Sequence, residues 1–165
     1  MVGGWCRRKG CDIIVEAISR TSYKLLHVGS IVDLPFPNTS HFVHVDSVNQ
    51  DLLMFFYNLA KAFVLPSREE GLAMVQAQAL ACGLPLIGSK YSGAEDISKM
   101  LGTRYYISVV SDYSAEHLVH EMDKCMKHLN TDVNENVNAN DMVVFSWQAY
   151  AGRYDDFIKK IYYGR

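Results

Sequence analysis

Short apolar stretches typical of β-strands alternate with amphipathic stretches typical of helices along this chain, and no other feature constrains its fold so strongly. Apolar strands separated by helices pair in parallel through crossover connections. The sequence therefore predicts an α/β fold, a three-layer Rossmann-like domain whose parallel sheet is buried on both faces. The predicted strands are 23–28, 41–45, 62–65, 85–87 and 105–110, and the predicted helices are 12–19, 50–59, 71–82, 95–101, 115–129 and 146–162.

Composition narrows the class of protein. The 165 residues fit one domain, and 49% apolar with 21% charged residues are typical of a globular chain rather than a disordered chain or a coiled coil. The formal net charge of −2 argues against a nucleic-acid partner, which would favour a basic domain. No apolar run approaches the roughly 18 residues that a membrane helix needs. Met1 leads directly into Val-Gly-Gly-Trp, so we expect no signal peptide.

The cysteines and histidines do not form the pattern of a metal site. The four cysteines, at positions 6, 11, 82 and 125, lack the paired spacing of zinc ligands, and we predict that they are reduced and structural. His117 and His120 lie one helical turn apart and could bind a metal, but no third ligand completes a recognised metal-binding spacing with them. No bound metal is therefore predicted.

Two further regions carry predictions about structure alone. The aromatic run Phe55-Phe56-Tyr57 is expected in the core, and the asparagine-rich residues 130–140 are expected to form a surface loop. Ser146 is expected to cap the last helix, whose aromatic face we expect to be partly exposed in isolation.

Three loops are the predicted location of a ligand site, because ligands of parallel sheets bind beyond the carboxyl ends of the strands. These loops are 3–10, 66–71 and 89–96. The densest signal lies in residues 64–96, where a strand ends at Pro-Ser, two acids follow, and Gly71 is predicted to open a helix. The first turn of such a helix offers free backbone N–H groups and the positive end of a dipole, which favour a phosphate.

Glu70 and Gln78 are the polar side chains that this helix would present to a ligand. Glu70 precedes the predicted helix and can accept hydrogen bonds from hydroxyls, and Gln78 follows eight residues later, roughly 12 Å along the helix axis. One group could then face a sugar while the other faces a ribose across a diphosphate. The alternative is that Glu70 caps the helix and Gln78 is solvated, and the spacing alone leaves both interpretations open.

The same segment resembles the donor-site signature of the family 4 retaining glycosyltransferases, Pro-Ser…Glu-Gly-(Phe)-Gly…Glu-Ala-Met-Ala-x-Gly-x-Pro. Further stretches resemble this family in the same order, so that nearly the whole chain is covered. They are Val2-Gly3-Gly4…Lys9-Gly10-Cys11-Asp12, Leu25-Leu26-His27-Val28-Gly29, Ser92-Gly93-Ala94-Glu95-Asp96-Ile97 and Phe145-Ser146-Trp147.

The resemblance implies one half of an enzyme with the GT-B fold, in which two Rossmann-like domains face each other across a cleft. Residues 1–165 would be the C-terminal domain that binds the nucleotide-sugar donor, with the N-terminal acceptor domain absent from this chain. We therefore expect a glycosyltransferase that is inactive as this fragment alone.

The resemblance also implies roles for individual residues. Glu70 matches the glutamate that contacts the donor sugar, and Lys9 matches the lysine that holds the donor phosphates, so these two are the predicted catalytic residues. Position 78 matches the ribose-binding glutamate but is Gln here, a change expected to cost about 1–2 kcal/mol of nucleotide binding. The other predicted donor-binding residues are Gly3, Gly4, Arg8, Gly71, Leu72, Ser92 and Gly93, with Asp96 and its neighbour Glu95 as candidates for the acid of the last turn.

The implied reaction transfers a sugar, with retention, from a UDP-sugar or GDP-sugar to a glycan or glycolipid acceptor, without a metal or other cofactor. Lys9 and the helix N-terminus would stabilise the departing diphosphate, and Glu70 would orient the sugar. The family's tendency is polysaccharide or glycolipid assembly in the cytoplasm, at the inner face of the plasma membrane, with peripheral membrane association of the full-length enzyme.

The sequence departs from the family pattern at two ligand-contacting positions. Gly4 stands where the family has an arginine, and either Arg7 or Arg8 could replace that charge, or the basic run could simply be solvated. Because Gln78 departs as well, the chain could instead be a degenerate, non-catalytic domain that acts as a partner or scaffold subunit. A flavodoxin-like regulatory domain is a third hypothesis, but the sequence shows neither an acidic pocket nor a flavin loop.

Overall fold

The computed structural model describes residues 1–131 and 138–164, and its elements follow the predicted order. The strands are β1 (Leu25–Val28), β2 (Phe42–Val45), β3 (Phe63–Leu65), β4 (Leu86–Ser89) and β5 (Ile107–Val110). The α-helices are α1 (Cys11–Ser19), α2 (Gln50–Asn58), α3 (Met74–Ala81), α4 (Ala94–Leu101), α5 (Ala115–Leu129), α6 (Ala139–Met142) and α7 (Trp147–Tyr163). Of the predicted surface loop 130–140, residues 132–137 lie outside the described residues.

All strand pairs are parallel, as predicted, but the strands form two sheets. One sheet pairs β1 with β2, and the other has the order β3-β4-β5. Single parallel bridges also join Val2 to Val28 and Trp5 to Ile31. The prediction of one sheet is therefore wrong, because β1 and β3 do not pair with each other.

Helices cover both faces of the strands and produce the predicted three layers. Successive side chains of a strand point to opposite faces. Phe63 of β3 packs its ring against Tyr57 of α2, with the centroids 5.9 Å apart. Its neighbour Val64 faces a cavity on the other side, lined from α1 and α5 by Ile14, Ile18, Leu118 and Met122.

Glycines let the loops at the carboxyl ends of the strands approach one another closely. Gly10 has a φ of 74°, and a Cβ atom there would lie 2.2 Å from the Pro66 carbonyl oxygen. Gly29 has a φ of 148°, and its Cβ would lie 2.1 Å from the Gly3 carbonyl oxygen. Only glycine fits at these two contacts, which bring the loop 3–10 against the ends of β1 and β3.

The predictions about individual side chains are confirmed in part. All four cysteines are free, and burial raises the pKa of the Cys11 and Cys125 thiols to about 12, so that both stay protonated and inert. Tyr57 is buried as expected, but Phe55 is 61% exposed, so its assignment to the core is wrong. The aromatic face of α7 is exposed as expected, with Trp147 at 83%.

Candidate functional site

The candidate site is a cleft of about 420 Å³ at the carboxyl ends of β3 and β4. It opens where the loops after these strands lead into α3 and α4, the position expected for a ligand of a parallel sheet. Its lining residues are Arg68, Glu69, Glu70, Gly71, Leu72, Lys90, Tyr91, Gly93 and Asp96.

Glu70 is the centre of a cluster of charges beside this cleft. Lys9 Nζ donates to Glu70 Oε2 at 3.0 Å, and Arg8 Nη1 donates to the same oxygen at 3.1 Å. The side chains of Lys9 and Glu70 are only 11% and 19% exposed, so both are held largely out of water. The three side chains together carry one net positive charge, which suits an anionic ligand, while Glu69 and Asp96 add negative charge elsewhere in the lining.

A second ion pair holds the basic loop in place. Arg68 donates to both carboxylate oxygens of Asp12, at 2.6 and 2.8 Å, and to the carbonyl oxygen of Arg7 at 2.6 Å. The backbone N–H of Arg68 also donates to the carbonyl oxygen of Arg8. Burial is the largest single influence and would raise the pKa of Asp12, but the hydrogen bonds and charge of Arg68, together with the backbone N–H groups of Asp12 and Ile13, outweigh it and lower the pKa. The bidentate pair thereby fixes the turn Arg7–Lys9 against the end of β3.

A buried polar network ties together the two loops that form the cleft. The Gln76 amide, which is fully buried on α3, donates to the Ser92 carbonyl oxygen. The Ser92 hydroxyl donates to the Ser89 carbonyl oxygen at 2.7 Å and lies 3.3 Å from Gln76 Oε1. The Ser89 hydroxyl in turn donates to the carbonyl oxygen of Ser67. Because each group is buried and bonded, the network fixes the spacing of the loops.

The helix expected at Gly71 begins three residues later. Its N-cap is Ala73, whose backbone is extended and whose side chain offers no cap, and the helix proper starts at Met74. Gly71 and Leu72 instead form an exposed bend at the edge of the cleft. The prediction that Gly71 opens the helix is therefore wrong, and so is the alternative in which Glu70 caps it.

Gln78 does not line the cleft. It lies half-buried on α3, and its Oε1 accepts a hydrogen bond from the Tyr57 hydroxyl at 3.1 Å. Burial raises the pKa of Tyr57, so this hydroxyl remains a donor at all physiological pH values. The alternative in which Gln78 is simply solvated is wrong, because its oxygen has this partner.

The predicted glycines and acids fall at different distances from the charge cluster. Gly3 lies beside Lys9, whose Cε would be 3.2 Å from a Cβ at that position, and Gly93 lies against the bend at Gly71. Gly4 lies near Val32 instead, which would be 3.0 Å from a Cβ there. Ser92 is buried beneath the cleft. Of the two candidate acids in the last turn, Asp96 lines the cleft, whereas Glu95 is exposed away from its lining.

One wall of the cleft is aromatic, which the sequence did not predict. Tyr91, on the loop after β4, stacks on Tyr113, with the centroids 5.9 Å apart and the planes 10° apart. The Arg68 guanidinium lies 5.2 Å from the Tyr113 ring centroid, and Lys90 Nζ lies 4.9 Å from that of Tyr91. Both cations are thus held over ring faces, which adds positive charge and a flat apolar surface to the rim.

Two features are absent from the part of the chain that the structure describes. In residues 1–131 and 138–164, no three His, Cys, Asp or Glu side chains are grouped so that they could hold a metal ion. Within the same ranges, no helix combines the length and apolar character needed to cross a membrane.

Solved structures of similar fold define the fold class: this domain resembles those of GT-B glycosyltransferases. Sucrose-phosphate synthase from Thermosynechococcus elongatus matches 99% of this chain with a TM-score of 0.69 at 20% identity, over 46% of its own length. A glycosyltransferase from Rickettsia africae matches 97% with a TM-score of 0.70 at 18% identity, over 47% of its length. The catalytic domain of starch synthase IV from Arabidopsis thaliana matches 94% with a TM-score of 0.68 at 19% identity, over 37% of its length.

Sequence comparison identifies the family. The family model described as glycosyl transferases group 1 matches residues 34–142, so the chain belongs to that family. An uncharacterized glycosyltransferase of Methanocaldococcus jannaschii is 29% identical over 103 residues, which cover 58% of this chain. The match covers 29% of that relative, so the chain spans less than a third of its length. The predicted GT-B glycosyltransferase is confirmed, and the assignment to the retaining family 4 stays a prediction.

Proposed function

We propose that this chain is the donor-binding domain of a retaining glycosyltransferase, and that the cleft at Glu70 binds a UDP-sugar or GDP-sugar. The observation that carries the proposal is the convergence of Lys9 and Arg8 on one oxygen of Glu70. Lys9 and Arg8 precede Glu70 by 61 and 62 positions in the chain, yet the three side chains meet at the carboxyl edge of the sheet.

The charge cluster suits a diphosphate because its cations can change partners. In the structure, Glu70 Oε2 accepts from both cations. A diphosphate would offer them several anionic oxygens, and charge-assisted bonds to phosphate are the stronger type of hydrogen bond. Glu70 would then be released to accept hydrogen bonds from the hydroxyls of the donor sugar.

The catalytic roles follow from this exchange. Lys9 is held by its buried stem and, with Arg8, would stabilise the charge that develops on the departing diphosphate. Glu70 would orient the sugar, and the Tyr91 ring would form an apolar wall beside it. The bend at Gly71 and Leu72 would let the ligand approach the backbone. We further propose that no metal ion or other cofactor is needed.

One similar structure supports the choice of a nucleotide ligand. Starch synthase IV was solved bound to ADP and acarbose. Our proposal for this chain names uracil or guanine as the base, so ADP serves as a third ligand in the test.

The remaining features of the whole enzyme are proposals about a longer protein. We propose that an N-terminal domain supplies the glycan or glycolipid acceptor site, and that residues 1–165 alone transfer no sugar. We also propose action in the cytoplasm, with peripheral association at the inner face of the plasma membrane.

A degenerate, non-catalytic domain is the second candidate, and two observations favour it. Gln78 is bonded to Tyr57, and Gly4 brings no charge to the basic loop. Such a domain would keep the fold but bind nucleotides poorly, and it would act as a partner or scaffold subunit.

An NMR titration of this chain with UDP, GDP and ADP separates the two candidates. The donor-binding proposal predicts saturable shifts at Lys9, Gly71 and Gly93 with UDP or GDP, unchanged by a metal chelator. The absence of saturable shifts with all three would contradict it and favour the degenerate domain. Shifts with ADP alone would contradict the proposed base. The anomeric configuration of the product made by the full-length enzyme tests retention.

A further inference from the structure

The backbone ladder that joins the loop before α1 to β1 and the residues after it lacks a hydrogen bond at Gly3. The Gly3 N–H donates to the Val28 carbonyl oxygen at 2.9 Å, and the Trp5 N–H donates to that of Ser30 at 2.7 Å. In a regular parallel ladder, the Ser30 N–H would donate to the Gly3 carbonyl oxygen between these two bonds. No backbone N–H in the described part of the chain makes that bond. The Gly3 carbonyl is therefore left for a side-chain donor.

The His27 ring of β1 supplies this donor. Its Nε2 lies 2.7 Å from the Gly3 carbonyl oxygen, and the whole residue is buried. Nδ1 of His44 lies 2.9 Å from the other nitrogen of the His27 ring and can donate to it, which leaves Nε2 as the protonated atom. The rings of Trp5 and Phe36 pack against the imidazole, with centroids 5.1 and 5.7 Å away, and fix its plane. The ring is thus held as a donor aimed at Gly3.

Gly3 in turn lies against the end of the Lys9 side chain. Its φ of 117° suits glycine, and a Cβ atom there would lie 3.2 Å from Lys9 Cε and 3.4 Å from Lys9 Nζ. The same Nζ donates to Glu70 at 3.0 Å. The Gly3 backbone is therefore part of the surface that directs the Lys9 ammonium towards Glu70 and the cleft.

We propose that His27 is a positioning residue of the donor site, which holds the Gly3 backbone in place and thereby directs the Lys9 ammonium towards the donor diphosphate. The inference rests on the proposed function, in which Lys9 binds that diphosphate. His27 itself does not line the cleft. Without the ring, the Gly3 carbonyl would lack its donor, and the backbone beneath Lys9 would move to find another.

His27→Gln and His27→Met form a matched pair, because both side chains are unbranched and equally long but only glutamine can donate. We expect the Kd of UDP or GDP, measured by NMR on folded protein, to rise at least about fivefold in His27→Met and to stay within about twofold of the parent in His27→Gln. The exposed His120, replaced by Met, is the control and should leave the Kd unchanged. Equal Kd values for the parent and His27→Met would overturn the proposal.

A double substitution separates positioning from a general loss of stability. In a chain that already carries Lys9→Met, the further change His27→Met should alter the Kd by less than about twofold, because both residues act through the same ammonium group. The full effect of His27→Met in that background would mean that His27 does not act through Lys9, and it would overturn the inference.

The Lys9 ammonium group gives a readout that needs no nucleotide. It is 11% exposed and bonded to Glu70, so its protons should exchange slowly enough to give an NMR signal that Lys9→Met removes. Proton exchange should quicken at least about fivefold in His27→Met but not in His27→Gln. An unchanged rate in His27→Met would overturn the inference. A parent chain that binds neither UDP nor GDP would contradict the proposed function, while this signal still decides the role of His27.

The tautomer of His27 in the parent chain tests the proposal even if His27→Met does not fold. Couplings between the ring protons and nitrogens show by NMR which nitrogen carries the proton. We expect it on Nε2, where it can donate to Gly3. A proton on Nδ1 alone would leave Nε2 without a donor for the Gly3 carbonyl and would overturn the proposal.

Discussion

Acid should destabilise this protein through His27, a residue of β1 whose ring is hydrogen-bonded to Gly3 and His44. His27 is fully buried beside the rings of Trp5 and Phe36. Its Nε2 lies 2.7 Å from the Gly3 carbonyl oxygen, which can only accept, so Nε2 carries the proton. Its Nδ1 therefore accepts from Nδ1 of His44, at 2.9 Å. A proton added to His27 would break this second bond.

The pKa of His27 sets the size of the effect. Burial lowers it from 6.5 to about 4, more than the bond to Gly3 raises it. The unfolded chain therefore takes up a proton between these two pH values while the folded chain does not. The contribution to stability is full above pH 6.5 and is lost as the pH falls towards 4. At 1.36 kcal/mol per pH unit the whole loss is about 3 kcal/mol, of which about 2 kcal/mol falls between pH 7 and pH 5.

Urea unfolding of the protein and of His27→Gln, followed by circular dichroism from pH 5 to pH 8, measures this contribution. Glutamine keeps a donor for Gly3 but does not titrate. Between pH 7 and pH 5 the parent chain should lose about 2 kcal/mol more than the variant. The Met1 amino group also titrates but contributes equally to both chains. The exposed His120, replaced by Gln, should leave the parent slope unchanged. Equal slopes for the parent and His27→Gln would refute the reasoning.

Three further substitutions test the cleft. Glu70→Gln should tighten UDP or GDP binding several-fold, because Lys9 and Arg8 are then free to bind the diphosphate. The same substitution should lower the kcat of the full-length enzyme at least about 100-fold. Weaker nucleotide binding in NMR titrations would contradict the exchange of partners. Gln78→Glu should leave nucleotide binding unchanged, because Gln78 lies outside the cleft lining and its oxygen accepts from Tyr57; a gain of about 1–2 kcal/mol would show a ribose contact there. Gln76→Leu should lower the free energy of unfolding by about 2 kcal/mol in urea, because the buried Ser92 carbonyl loses its donor; a neutral result would contradict the network.

Local patterns predicted the elements well because the signals are short-range. The apolar runs of β3 and β4 and the glycines that follow α3 and precede α4 fixed the positions of those elements. The start of α3 was wrong because Gly71 suggested a helix opening, whereas the extended backbone of Ala73 postpones it. No side chain at that position signals the cap.

Contacts between segments that are distant in the sequence could not be predicted from local patterns. Periodicity showed that β1 and β3 are buried on both faces, but it does not say which neighbour each strand has, so the division of the sheet was missed. The bond between the Gln76 amide and Ser92 and the stack of Tyr91 on Tyr113 join separate segments, and no spacing rule links them. A glutamine within the alanine-rich α3 was the available hint of a buried polar role. The meeting of Lys9 with Glu70 was foreseen only through the family resemblance.

The central claim is that Lys9 holds the diphosphate of a donor nucleotide, and one comparison of affinities tests it most directly. The Kd of the nucleotide that binds this chain should be measured by NMR for the parent, for Lys9→Met and for Lys127→Met, whose lysine is exposed on α5. Loss of a charge-assisted bond predicts a Kd at least about tenfold higher for Lys9→Met, with no change for Lys127→Met. Equal Kd values in all three chains would contradict the account.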